Sequence, residues 1–126
     1  NSAELMRPTV FIVDDETAIR SAIGLLVSTR GWGAEHFLAV KDFLAKAPHV
    51  ANVCLVVDLQ MPGMNGVDLI EQLAERRIEM PAIVVTAYAE HALIDRALAA
   101  GARQVFRKPF RDDELLNAIG DTLLLI

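Results

Sequence analysis

The residues best able to do chemistry stand directly after apolar runs. Asp14 and Asp15 follow the run at 10–13, and Asp58 follows the run at 53–57. Thr86 closes the run at 83–85, and Lys108-Pro109 follows the stretch at 105–107. If each run is a strand of one open parallel sheet, their carboxyl ends share a crevice, where such sheets bind ligands. Three acids, a hydroxyl and an amine then meet at one place. That set suits a hard divalent cation together with a phosphoryl group. Three carboxylates left alone repel, and at least one pKa rises; a cation removes that cost. Magnesium (or manganese) fits, because magnesium takes oxygen ligands, commonly one or two carboxylates with waters and phosphate oxygens. Asp15 and Asp58 are the expected direct ligands, with the Gln60 backbone carbonyl as a third and Asp14 acting directly or through water. Asp58 closes the central run, so it is expected deepest and is the natural nucleophile for an aspartyl phosphate. Lys108 supplies a mobile point charge, and Thr86 a hydroxyl for a phosphoryl oxygen. Singly, each has a plainer reading. Asp14 or Asp15 can cap a helix, Lys-Pro can be mere loop, and a Thr can end a strand for packing. Their coincidence on one sheet edge is what points to function.

The elements that must position these groups alternate strand and helix five times. Strands are expected at 9–13, 34–37, 53–57, 82–85 and around Val105-Phe106. Ile19, Ala22, Ile23, Leu26 and Val27 form the stripe of a first helix, ended by Gly31 and Gly33. Val40, Phe43, Leu44 and Ala47 mark a short second helix stopped at Pro48. A turn-rich loop, Pro62-Gly63 with Asn65-Gly66, leads to a third helix on Val67, Ile70, Leu73 and Ala74. Leu93, Ile94, Ala97 and Leu98 give a fourth, with Gly101 as its C′ residue. Leu115, Leu116, Ile119 and Leu123 give the fifth. The first, third and fourth strands are wholly apolar, as expected when helices cover both faces. The second carries Glu35 and His36, and the fifth Arg103, Gln104 and Arg107, which suits sheet edges. With right-handed crossovers the result is a doubly wound, five-stranded parallel α/β sheet of order 2-1-3-4-5.

A chain of 126 residues, 53% apolar, is most simply one domain with its own core, 1–126, with residues 1–8 extended or flexible. No apolar run reaches the roughly 18 residues of a membrane span, and the first residues lack a signal-peptide h-region. A cytoplasmic setting is expected. The net charge of -5 weighs against direct nucleic-acid binding. Cys54 is the one cysteine, which excludes disulfide frameworks within the chain; inside an apolar run it reads as a small buried hydrophobe.

Taken together, the segments Val13-Asp14-Asp15-Glu16, Asp58-Leu59-Gln60-Met61-Pro62-Gly63-Met64-Asn65-Gly66, Val84-Val85-Thr86-Ala87 and Lys108-Pro109-Phe110 resemble the signature blocks of bacterial response-regulator receiver domains. Their order and spacing agree over nearly the whole chain. Phe43-Leu44 and Lys108-Pro109-Phe110 resemble the FixJ type in particular. The resemblance implies a flavodoxin-like, CheY-like fold with five helices on both faces. It implies that Asp58 accepts a phosphoryl group from a sensor histidine kinase, and that Asp14, Asp15, Asp58 and the Gln60 carbonyl hold magnesium. It also implies that Lys108 pairs with the phosphoryl group, that Thr86 moves toward it, and that the Lys108-Pro109 bond is cis. The domain is then a signalling switch rather than an enzyme. Its expected output is homodimerisation or control of a C-terminal helix-turn-helix domain, for which the apolar end Leu124-Leu125-Ile126 is read as a domain boundary; the alternative is a stand-alone regulator.

One position departs from that pattern. Receivers usually carry Tyr or Phe three residues before the lysine, where this chain has Val105. Phe106 faces the other side of the strand by alternation. Switching is then expected through Thr86 and the loop from Ala87 to His91. Tyr88 either covers the site and slows hydrolysis or is a plain exposed aromatic. Arg103, Arg107 and Arg111 form either a solvated face or pairs with Asp95, Asp112 or Asp113 across a dimer of the fourth helix, fifth strand and fifth helix. His36, His49 and His91 are scattered and make no ligand set, and Trp32 reads as packing. Two rivals remain: an aspartate-nucleophile phosphatase, which would need an acid where Gln60 stands, and a receiver used as an interaction module without phosphorylation.

Overall fold

The computed structural model describes residues 7–46, 52–87 and 90–123. Strands and helices alternate as β1 (Thr9–Val13), α1 (Thr17–Ser28), β2 (Gly33–Phe37), α2 (Val40–Lys46), β3 (Val53–Val57), α3 (Gly66–Glu75), β4 (Ala82–Thr86), α4 (His91–Ala99), β5 (Gln104–Arg107) and α5 (Asp112–Thr122). All neighbouring strands pair in parallel, in the order β2-β1-β3-β4-β5. β3 and β4 are buried at every residue, whereas Glu35, His36, Gln104 and Arg107 are exposed on the two edge strands. The polarity of the strands thus sorted centre from edge.

Strand alternation splits the core in two. Val10, Ile12, Cys54, Val56, Ile83, Val85 and Phe106 face α1 and α5. Phe11, Val13, Leu55, Val57 and Val84 face α2, α3 and α4. Phe11, Phe37 and Phe43 close the second layer with ring centroids 5.3 to 6.2 Å apart, a geometry that adds to simple area burial. Trp32 packs against the first layer, lies under Arg30 at 5.7 Å and stands beside Gly120 of α5.

Two local details differ from the sequence expectation. Gly33 opens β2 instead of ending α1, because its amide bonds the Pro8 carbonyl at 2.8 Å. The positive φ that turns the chain after α1 belongs to Gly31. Asn65-Gly66 is the start of α3, not its preceding turn. Asn65 caps the helix through a reciprocal pair with Asp68, at 3.0 and 3.1 Å, as capping boxes do. α4 ends as expected, with Gly101 at φ 118. Ala47, Pro48 and His49, most of residues 1–8, and residues 124–126 lie outside the described residues. No described helix is long and apolar enough to cross a membrane.

Candidate functional site

The sheet register sets two acid-bearing strand ends side by side. Val13 pairs with Val57, and the Asp58 amide continues onto the Val13 carbonyl at 3.1 Å. On the other side the Asp14 amide donates to the Phe37 carbonyl at 3.2 Å. Main chain therefore pins both residues, and both are buried, at 3% and 4% exposure. Asp15 and Glu16 are exposed on the rim. One oxygen of each buried carboxylate is occupied by the next turn. Asp14 Oδ1 accepts from the Glu16 amide at 2.9 Å, and Asp58 Oδ1 from the Gln60 amide at 3.0 Å.

The other two oxygens meet on Lys108. Its Nζ donates to Asp14 Oδ2 at 3.0 Å and to Asp58 Oδ2 at 2.9 Å, and lies 3.5 Å from Glu16 Oε1. Pairing of β4 with β5 delivers this lysine: Thr86 stands opposite Arg107, and the Lys108 amide donates to the Thr86 carbonyl at 2.8 Å. The Lys108-Pro109 peptide is cis. Thr86 is wholly buried, and Ala87 beside it is exposed. Tyr88 lies outside the described residues.

The electrostatics report a shortage of positive charge. Burial pushes the Asp14 carboxyl above its ordinary value, with the Asp58 charge adding, although the Glu16 amide and Lys108 pull it back in part. Burial pulls the Lys108 ammonium down, but its hydrogen bonds and ion pairs with Asp58 and Asp14 outweigh that and hold it above its ordinary value. One ammonium shared by two buried acids leaves the cluster acidic. One carboxylate oxygen from each of Asp14, Asp15, Glu16 and Asp58 lies within 4.8 Å of those of the other three. An all-oxygen donor set around a buried acid that resists ionising fits a hard divalent cation.

Comparison with known proteins gives the family. The family described as the response regulator receiver domain matches residues 10–120. The chain belongs to this family. It is 38% identical over 111 residues to the transcriptional regulatory protein FixJ of Rhizobium meliloti (strain 1021), covering 88% of this chain and 54% of that protein. It is 36% identical over 116 residues to the response regulator protein TodT of Pseudomonas putida, covering 92% and 51%. The crystal structure of FixJ-N superposes with a TM-score of 0.83 at 34% identity, over 94% of this chain and 98% of that one. The chain spans about half the length of the curated relatives it matches. It is a receiver domain of the two-component response-regulator kind, a signalling part and not a conventional enzyme.

In this receiver domain neither Asp14 nor Asp15 caps α1; the N-cap residue is Glu16, which makes no side-chain cap bond. Val105 is half-buried on the face of α2, α3 and α4, and Phe106 is buried on the opposite face, so Phe106 does not occupy the place of the usual aromatic. Arg111 pairs with Asp113 of its own chain at 3.3 Å. Three residues near the site have contacts that their sequence positions do not assign. Glu16 joins the acid cluster and nears Lys108; its place directly after Asp14-Asp15 was the available signal. Arg20 is buried against the Asp14 carbonyl; a charge three residues before buried Ile23 and seven before Val27 signals a cation on the inner helix face. At Gly66, a Cβ would stand 2.3 Å from the Asp58 carbonyl oxygen, a contact with no local sequence signal.

Proposed function

We propose that Asp58 is the phosphoacceptor of this domain and that a sensor histidine kinase is the donor. The observation that carries the reading is the single ammonium of Lys108 bridging Asp14 and Asp58, at 3.0 and 2.9 Å, at the carboxyl end of the central strand. An Asp58 carboxylate oxygen forms the new P–O bond as the P–N bond of a phosphohistidine protonated on its other ring nitrogen breaks, and the imidazole, keeping that proton, leaves as the neutral base. Such transfer asks mainly for positioning and charge neutralisation. Asp14, Asp15, Asp58 and the Gln60 carbonyl would hold magnesium, or manganese in its place. When bound, the cation neutralises charge on the phosphoryl oxygens. Lys108 exchanges its bond to Asp58 Oδ2 for a phosphoryl oxygen, and the Thr86 hydroxyl approaches another. Slow autodephosphorylation returns the domain to its resting state.

The phosphoryl group adds about -1.5 to -2 charge, which the β4 end and α4 must accommodate. With Val105 in place of an aromatic, Thr86 and Ala87 carry the change into α4, and Tyr88 belongs to the same switch segment. We further propose that the signal drives homodimerisation through α4, β5 and α5, where Leu98 stands 46% exposed. Alternatively it releases a C-terminal helix-turn-helix output domain in the full protein. The name of FixJ as a transcriptional regulatory protein supports that output, and we place the protein in the cytoplasm. The receiver itself, at net charge -5, is not proposed to touch nucleic acid, nor a membrane. Intact mass after incubation with acetyl phosphate and magnesium tests the reading. Wild type should gain one phosphoryl group, and neither Asp58→Asn nor chelator-treated protein should. No gain in wild type would turn the reading to an interaction module that works without phosphorylation.

A further inference from the structure

Arg20 is the one arginine buried among the described residues, at 9% exposure. It makes no ion pair with a described carboxylate. Its Nη1 donates to the main-chain carbonyl of Asp14, and its Nη2 to Thr17 Oγ1 at 3.0 Å. The reason lies in the strand end. Asp14 is the first residue past β1, and its amide still bonds the neighbouring β2 end, at the Phe37 carbonyl. Its carbonyl is buried with it, and a buried carbonyl without a donor is costly. Arg20 reaches back six residues to supply that donor, while its own amide bonds the Glu16 carbonyl at 3.1 Å. The turn 14–16 is thus closed from both sides: by the Glu16 amide on Asp14 Oδ1, and by the guanidinium on the Asp14 carbonyl.

We infer that Arg20 is a positioning residue that fixes the Asp14–Glu16 turn so that Asp14 and Asp15 face the cation site together. It acts through the Asp14 peptide and touches neither the cation nor the phosphoryl group. The guanidinium suits the task because its planar fork holds two acceptors at once, which an ammonium cannot do with the same geometry. Groups that orient metal ligands from behind commonly cost about 10- to 100-fold in metal affinity when removed. This inference rests on the proposed magnesium site.

The test is magnesium titration followed by amide chemical shifts for wild type, Arg20→Met, Arg20→Lys and Thr17→Val, with thermal stability measured alongside. Arg20→Met should weaken magnesium binding about tenfold or more. It should also lower the hydrogen-exchange protection of the Glu16 amide in metal-free protein. At saturating magnesium its acetyl phosphate phosphorylation rate should return to within about threefold of wild type, because Asp58 is not among its partners. Arg20→Lys and Thr17→Val, each keeping the charge but loosening the fork, should weaken binding about threefold. If Arg20→Met does not fold, those two carry the test. Wild-type magnesium affinity in the folded variants, whatever their stability, would overturn the positioning role. Wild type that binds no magnesium would remove the magnesium site and this inference together.

Discussion

Replacing Gly66 by alanine should disable the phosphoacceptor without touching any charged group. A Cβ at residue 66 would stand 2.3 Å from the Asp58 carbonyl oxygen, 3.0 Å from the Asp58 carbonyl carbon and 3.1 Å from a Val57 methyl. Side-chain carbons essentially never approach closer than 3.0 Å, so the backbones must part by at least about 0.7 Å. Neither side yields cheaply. α3 is held by the Asn65–Asp68 capping box and by buried Val67, Leu69, Ile70 and Leu73. Asp58 is held by its amide bond to Val13. A shift of that size stretches the 2.9 Å bond from Lys108 to Asp58 Oδ2 beyond hydrogen-bonding range. Misplacing a reacting group by about 1 Å can cost about 100-fold in rate, and overpacking costs about 1–3 kcal/mol of stability. The assay is the time course of acetyl phosphate modification by intact mass, run well below the melting temperature, with urea unfolding in parallel. Gly120→Ala is the control, since its Cβ would meet only the Trp32 ring at an ordinary 3.4 Å. Wild-type rate and stability in Gly66→Ala would refute this account of the close approach.

Removing the shared ammonium, in Lys108→Met, leaves Asp14 and Asp58 buried together without their cation. Unpairing buried charge costs about 3–5 kcal/mol. Urea titration should show a large deficit at neutral pH that shrinks as acid neutralises the carboxylates; a deficit independent of pH would count against charge as its cause. In wild type, Lys108 holds its proton more tightly folded than unfolded. Its contribution is therefore full below its ordinary 10.5 and lost as pH rises through the higher folded value; alkaline urea titrations should show that loss, and Lys108→Met should not. Asp14 has the opposite slope. Its folded pKa is raised, so the folded state binds the proton better, and stability falls as pH climbs from its ordinary 3.8 through the folded value. Asp14→Asn should flatten that fall in acid unfolding curves. Burial pushes the Cys54 thiol up to about 11, so its reaction with thiol reagents at pH 8 should proceed only as fast as the core opens, with a rate that tracks urea; fast modification of native protein would show the thiol to be accessible.

Much of the fold was legible because polarity and position coincide. Apolar β1, β3 and β4 had to be covered on both faces, and the charges of β2 and β5 suited only edges. The strand-end rule then gathers Asp14, Asp58, Thr86 and Lys108 from their sequence positions alone. What stayed hidden depends on tertiary reach. Lys108 bridges residues 94 and 50 positions away, and sequence spacing cannot say that its ammonium serves two acids at once. Asn65-Gly66 reads as a turn by composition, yet the cap on Asp68 makes it a helix start, and only the packed helix shows why Gly66 lacks a Cβ. Arg20 looks like one more surface cation until burial places it behind Asp14.

The central claim is that Asp58 accepts the phosphoryl group. The most direct measurement is borohydride trapping of acetyl phosphate-treated protein followed by peptide sequencing in the mass spectrometer. An acyl phosphate on Asp58 is reduced to the alcohol, so homoserine should stand at position 58 and nowhere else, in a magnesium-dependent yield. Reduction at Asp14, Asp15 or Glu16 with Asp58 intact would contradict the account.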